Sequence, residues 1–178
     1  IAEQDLEIKR FTGSQISLDV VDDFYSFYVD THLRRSGHSG YLNKDFFEEI
    51  TQTIADNILI ILAYKNGQAV AGSFFFYDQN NLYGRYWGAS NDYDALHFEC
   101  CYYQGIDFCI EKNIKRFDPG VQGEHKIKRG FEPTFTFSSH WIENHDFSIA
   151  ISDFLLREDK YIKDYHQDAT TLLPFKNI

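Results

Sequence analysis

The densest group of chemically competent side chains runs from Gly120 to Gly130, in GVQGEHKIKRG. Moving a group onto an amine needs a base to take a proton and donors to stabilise a developing oxyanion. Glu124 and His125 are the base types in this cluster, and Lys126 and Arg129 supply cations for a phosphate or carboxylate. Gln122 belongs to the same cluster as a binding candidate. Gly120 and Gly123 let backbone N–H groups come close to a ligand. The plainer reading is a capped, solvated short helix with a charged face.

A further base candidate lies upstream. A helix is expected over about Tyr93–Lys112, and at 100° per residue Glu99 falls within its apolar arc. That arc also holds Ala95, Leu96, Phe98, Tyr102, Tyr103, Ile106, Cys109 and Ile110. A carboxylate buried alone is costly, so Glu99 must be paired or protonated. Either Arg85 or a tyrosine holds it as a structural group, or a raised pKa makes it a general base. The opposite, solvated arc takes His97, Cys100, Gln104, Asp107 and Glu111. His97-x-x-Cys100 has no second ligand pair at a suitable spacing, so no metal is expected. In the strand Leu82–Trp87, alternation puts Tyr83, Arg85 and Trp87 on one face. Arg85, Tyr86 and Trp87 are candidates for a substrate groove as well as for core packing.

The elements that must position these residues follow from periodicity. Leu6–Phe11 is an opening strand. Ser17 precedes a helix over roughly Leu18–Arg35, which Ser36-Gly37 stops, and Asn43 caps a helix over Lys44–Ala55. Asn57–Tyr64 and Gln68–Tyr77 flank Asn66-Gly67, a strong hairpin signal. Leu82–Trp87, the helix and Ile114–Phe117 form a strand–helix–strand crossover with parallel strands. Ligands in such sheets sit where strand ends open, which makes the cluster after Ile114–Phe117 the expected site. Pro133–Ile142 alternates Phe135, Phe137 and Ser139 as a strand would, and Asp146 begins a final helix to about Tyr165.

Composition narrows the classes. The chain has 178 residues, 43% of them hydrophobic and 25% charged, which describes one globular domain. A net charge of −10 argues against binding a nucleic-acid backbone over the whole surface, although Lys126, Lys128 and Arg129 make a local basic patch. The longest apolar run, Ile58–Ala63, is strand-sized, so no membrane span is expected. The start has no signal-peptide pattern, and the three cysteines, all on one expected helix, make no disulfide framework. A reducing, cytoplasmic location is expected. The first residue is not Met, which suggests a fragment or a processed chain.

Three blocks in order, LYGRYWG, LHFECCYYQGIDFCIE and GVQGEHKIKRGFEP, resemble the Fem-like "peptidoglycan biosynthesis/recognition" branch of the GNAT acyltransferase superfamily. The resemblance implies an α/β (α+β) fold: a GNAT-like mixed central sheet with an antiparallel meander, a strand–helix–strand crossover and flanking helices. It implies a single domain over residues 1–178, the C-terminal part of a longer protein. It implies transfer of an acyl or aminoacyl group to an amine, linked to cell-wall precursors, with acyl-CoA or aminoacyl-tRNA as donor and no settled oligomeric state. Tyr103 joins the substrate-binding candidates on this resemblance, as does His38, in the glycine-rich loop where such folds receive an acceptor. Core packing and an idle loop histidine are the plainer readings of the two. The turn Gly88–Asp94 departs from the family pattern, because it lacks the glycine spacing that holds a pyrophosphate. Asp92 and Asp94 there repel a phosphate by roughly 1 kcal/mol each at short range. An aminoacyl-tRNA donor need not place a pyrophosphate at that turn. The alternatives to an enzyme are a non-catalytic recognition domain, or a half-site that an upstream domain completes.

Overall fold

The hydrophobic run Ile58–Ala63 becomes the middle of the molecule because both of its faces are covered. In a computed structural model, which describes residues 4–121 and 123–175, all six of its residues are buried. Gln122 lies outside the described residues. The chain divides after Gly120 into two compact units.

The first unit is a five-stranded mixed sheet with helices on both faces. The strands are β1 (Leu6–Thr12), β2 (Ile58–Lys65), β3 (Gln68–Tyr77), β4 (Asn81–Ala89) and β5 (Arg116–Asp118), in that spatial order. β1 to β4 pair antiparallel, and β4 and β5 pair parallel. The hairpin turn between β2 and β3 places Asn66 at φ 51 and Gly67 at φ 78, the left-handed pair such a turn requires.

Alternation along β2 feeds two cores. Ile58, Ile60 and Leu62 meet Val21, Phe24 and Phe47 from α1 (Leu18–Ser36) and α2 (Lys44–Thr53). Leu59, Ile61 and Ala63 meet Leu96, Cys100, Phe108 and Cys109 on the other face. Each fully buried large side chain contributes about 1.5–3 kcal/mol relative to exposure. α1 is capped where expected: the Ser17 side chain accepts from Val20 N, and Gly37 closes the helix at φ 71. The Asn43 side chain caps α2 by accepting from Phe46 N at 3.0 Å.

The expected single helix over 93–112 is interrupted. It starts at Leu96, after Ala95 at φ 57, as α3 (Leu96–Phe98). A π-helical segment (Glu99–Tyr103) follows, then α4 (Gln104–Lys112). Ser73, buried in the middle of β3, donates its hydroxyl to the Cys100 carbonyl at 2.9 Å. The wider turn adds a residue and shifts the helix phase. Cys100, expected on the solvated arc, is therefore fully buried, while Tyr103 and Ile110, expected on the apolar arc, are exposed. His97 also leaves the solvated arc and is half-buried.

Burial pushes the Cys100 thiol far above its ordinary value, with the Glu99 carboxylate adding to the effect, and pushes Cys109 up to about 11. Neither thiol ionises at neutral pH, so both stay inert toward thiolate-selective reagents. Alkylation of the folded chain is expected to leave Cys100 and Cys109 unmodified until denaturant is added. Peptide mapping that found either one modified in the native chain would contradict this packing.

The second unit, residues 121–178, holds a short 3₁₀ helix (Glu124–Arg129) and α5 (His145–Thr170). The strand expected over Pro133–Ile142 does not form, since no described strand pairs with those residues. Alternation fixes which side chains share a side, but a strand needs a partner, and none pairs with this segment among the described residues.

Candidate functional site

The sheet comes apart at one end. β5 follows β4 only from Asn81 to Tyr83, opposite Arg116 to Asp118. Gly84 still lies against the next residue, since a Cβ there would meet the Pro119 backbone at 3.5 Å. The Asp118 carboxylate then accepts from Gly120 N at 2.8 Å, and Gly120 still lies close to β4, since a Cβ there would stand 3.4 Å from the Gly84 carbonyl oxygen. Beyond Tyr83, the β4 backbone has no β5 partner among the described residues. Such an edge presents N–H and C=O groups toward whatever occupies the gap.

At this point β4 also carries a bulge. Phe75 pairs with Gly84 and Phe74 with Tyr86, so Arg85 is the extra residue. The bulge reverses the alternation. Leu82 packs with the α3–α4 face, yet Tyr86 packs with the α1–α2 face and Trp87 with the α3–α4 face. Tyr83 and Trp87 therefore point to opposite faces, which corrects the shared face expected for Tyr83, Arg85 and Trp87.

Helix α1 fixes the far part of this edge. Gly88 lies so close that a Cβ would stand 2.2 Å from the Phe27 carbonyl oxygen. The Arg34 guanidinium donates to the Ala89 carbonyl. The following turn is tied down by Ser90, whose N–H donates to the Val70 carbonyl at 2.8 Å. It is also held by Gln4, whose amide exchanges two hydrogen bonds with the Asp94 backbone.

On the α1–α2 face, rings link Arg85 to His38. The Arg85 guanidinium lies 5.7 Å from the Tyr86 ring, and Tyr86 meets Tyr28 edge-on at 5.3 Å. Tyr28 packs on His32 at 4.5 Å, and His32 lies 5.6 Å from His38. The Tyr28 hydroxyl accepts from Tyr41 N and Leu42 N, which folds the loop over it. Gly40 N donates to His38 Nδ1 at 3.1 Å, so the neutral His38 ring carries its proton on Nε2. The helical spacing of Tyr28 and His32 reads as ordinary core in the sequence. Their aromatic–histidine spacing of four residues was the available signal.

On the other face, Trp87 meets His97 at 5.4 Å, and His97 meets Tyr102 at 5.4 Å. Glu99 is half-buried and accepts from Gln104 Nε2 at 2.8 Å. The expected Arg85–Glu99 pairing is not made, because the bulge turns Arg85 toward Tyr86. The expected burial of Glu99 in the apolar arc is also relieved by the π-helical phase shift.

The second unit gathers its own group. Glu124 accepts from the Tyr165 hydroxyl at 3.3 Å. Lys126 Nζ donates to the Val121 carbonyl at 3.2 Å, and Arg129 Nη1 donates to the His125 carbonyl at 2.8 Å. Gly123, at φ 98, lies against the His125 ring, where a Cβ would meet Cε1 at 2.4 Å. Burial, with the Arg129 and Lys126 cations, holds the imidazole below its ordinary pKa. At neutral pH His125 is therefore an unprotonated base. Among the described residues, no group of three His, Cys, Asp or Glu is arranged to hold a metal ion, and no helix is long and apolar enough to cross a membrane.

The family model for FemAB-like proteins, described as peptidoglycan biosynthesis/recognition, matches residues 1–177. The chain belongs to the FemAB-like family. Among curated proteins, no sequence matches this FemAB-like chain. Solved structures share its fold at low identity. A protein described as a possible acetyltransferase, from Clostridium difficile 630, is 13% identical with a TM-score of 0.58. That alignment covers 78% of this chain and 99% of the other. An aminoglycoside acetyltransferase from an uncultured soil metagenomic sample, in complex with sisomicin, is 11% identical with a TM-score of 0.55. The alignment covers 81% of this chain and 99% of that one. An acetyltransferase from Trypanosoma brucei is 9% identical with a TM-score of 0.55, covering 78% of this chain and 100% of its own. The FemAB-like chain therefore has the acetyltransferase-type fold: a mixed sheet, antiparallel then parallel, between two helical layers.

Proposed function

We propose that this FemAB-like chain transfers an acyl or aminoacyl group to an amine acceptor by direct attack. The observation that carries the reading is the parted edge of β4, with its Arg85 bulge, in a sheet of acetyltransferase topology. The amine lone pair attacks the acyl carbonyl, and a tetrahedral oxyanion forms. Backbone N–H groups along β4 beyond Tyr83 are suited to stabilise it. The C–X bond to the donor then breaks, giving an amide. The proton lost by the amine passes to a base and on to the leaving group.

His125 and Glu124 are the proposed bases, with Glu99 the second choice. His125 stands ahead of the two carboxylates because the ordinary imidazole pKa of about 6.5 lies nearer neutral pH than that of a carboxylate, which suits it better to take a proton there. Arg85, Tyr86 and His38, linked through Tyr28, are proposed to bind the acceptor, and Trp87 and Tyr103 to line the groove. Gln122, Lys126 and Arg129 are proposed to hold an anionic part of a substrate. Acyl-CoA and aminoacyl-tRNA are both retained as donor classes, and a cell-wall precursor as the acceptor class.

The test incubates the chain with acyl-CoAs or aminoacyl-tRNAs and amine acceptors, cell-wall precursors among them, and reads products by mass spectrometry. An amide product with the unaltered chain, and less with Glu124→Gln, is the expected result. Undiminished product with Glu124→Gln removes that residue from the mechanism. Saturable binding of a precursor with no product from any donor would replace the transferase reading with a recognition module.

A further inference from the structure

The loop after α1 is wrapped around one phenol. Tyr28, on α1, is 2% exposed. Its hydroxyl oxygen accepts from Tyr41 N at 3.1 Å and from Leu42 N at 3.2 Å. Gly40, at φ 97, lies so close to the ring that a Cβ would stand 2.5 Å from Cε1 and 2.7 Å from the hydroxyl oxygen. Gly40 N donates in turn to His38 Nδ1 at 3.1 Å. The successive N–H groups of Gly40, Tyr41 and Leu42 therefore turn inward, the first to the imidazole and the next two to the phenol. The ring itself is held from two sides: it meets Phe47 of α2 at 5.2 Å and Tyr86 of β4 at 5.3 Å, both edge-on. Every one of these contacts lies within the first unit.

We propose that Tyr28 is a positioning residue for the acceptor: its hydroxyl sets the 38–42 loop, and the loop sets His38 as a hydrogen-bond donor. This rests on the acyl-transfer reading and on His38 meeting the acceptor. An imidazole nitrogen that accepts a hydrogen bond carries no proton, so in the neutral ring the proton is on Nε2. His38 then offers an N–H, and what it binds is an oxygen of the acceptor molecule: a carboxylate, carbonyl or hydroxyl. Its other nitrogen is engaged by Gly40, so it does not take the proton of the attacking amine. The bond that fixes this tautomer exists only while Gly40 N points at Nδ1, and Gly40 is seated on the Tyr28 ring.

The oxygen, not the ring, does the positioning. Phenylalanine at position 28 keeps the packing on Phe47 and Tyr86 and removes the acceptor of two backbone N–H groups. Those N–H groups must then find water, which lifts the loop from the ring. Released from Gly40, His38 is free to exchange tautomers and to rotate. Asparagine at position 38 separates the two parts of the device. Its side-chain oxygen accepts from the N–H two residues on, as Nδ1 does, and so keeps the turn. It places no N–H where Nε2 stood.

The test uses the full chain, with nitrogen NMR of the histidine rings, amide hydrogen exchange, and acylation kinetics on a cell-wall peptide bearing a free lysine amine. The unaltered chain is expected to show His38 as the Nε2–H tautomer, with slow exchange at Tyr41 and Leu42. Tyr28→Phe should speed that exchange about tenfold and mix the tautomers. It should also raise KM for the peptide about tenfold, with kcat and the donor KM held. Gly40→Ala, which pushes the loop off the ring from the other side, should do the same. His38→Asn should raise the peptide KM while exchange stays slow. Added to His38→Asn, Tyr28→Phe should cost nothing further in KM, since both act through one N–H. Additive losses overturn the proposal, because Tyr28 then acts without His38. So does an Nδ1–H tautomer in the unaltered chain, or exchange at Tyr41 and Leu42 that Tyr28→Phe leaves unmoved. A chain that makes no product with any donor defeats the transferase reading instead, and the tautomer and exchange results then decide the role of Tyr28 by the same outcomes.

Discussion

Replacing His125 with glutamine is expected to lower kcat by about 10²–10⁴-fold, the usual contribution of a positioned general base. Glutamine keeps the polarity and much of the volume but cannot take a proton. The sign of the pH dependence follows from the site. The His125 pKa is lowered by burial, then by Arg129 and Lys126. The competent, unprotonated form is thus the dominant one down to a pH below the ordinary imidazole value of about 6.5. Activity of the unaltered chain should rise with pH through an acidic limb below that value, and then level off. Removing the cations as Arg129→Gln or Lys126→Gln should move the limb upward. A limb at or above 6.5, or one that survives His125→Gln unchanged, assigns the proton to another group. The same shift bears on stability. Protonation of His125 costs more in the folded chain than in the unfolded one, so its contribution falls as pH drops from the unfolded value toward the folded one.

Gly88→Ala is expected to destabilise the fold by about 3 kcal/mol, a fall in Tm of roughly 6–12 °C. The added methyl group would stand 2.2 Å from the Phe27 oxygen, 2.6 Å from its carbonyl carbon and 2.7 Å from Thr31 Oγ1. Two of those three atoms are backbone, so relief requires α1 to lift away from β4. Tyr28, Thr31 and Arg34 all ride on α1 and would move with it. Gly67→Ala is the comparison. It has nothing within 4 Å and pays only for its left-handed φ of 78, about 1 kcal/mol. Equal melting shifts for the two variants would show that the close approach of α1 to β4 carries no strain.

Much of the first unit was legible because the signals are local. Ser17 and Asn43 cap the helices they precede, and Asn66-Gly67 turns the hairpin it interrupts. The two departures in this unit were not local. The bulge at Arg85 is set by which β4 residues pair with Phe74 and Phe75, and nothing in LYGRYWG announces the extra residue. The π-helical segment is accompanied by a hydroxyl on Ser73, 27 residues upstream of the carbonyl it meets, whereas a helical wheel assumes one fixed angle per residue. For the candidate site, residue types were readable and their company was not. The chemistry of His125 was visible, but the cations that tune it act through space. Tyr28 and His32 were hidden by an ordinary helical pattern. Residues 133–142 show the limit most plainly, since alternation describes a strand without supplying its neighbour.

The bulge in β4 also settles how that strand can be threaded. In a strand of strict alternation, a slip of two positions restores every side chain to its proper side, and only packing detail opposes it. In β4 Leu82 before Arg85 and Trp87 after it face the same core although an odd number of positions separates them, while Tyr86 faces the other. A slip of either one or two positions leaves some aromatic ring on the wrong side of the sheet. One unpaired arginine thereby locks the alignment of the strand that frames the open edge.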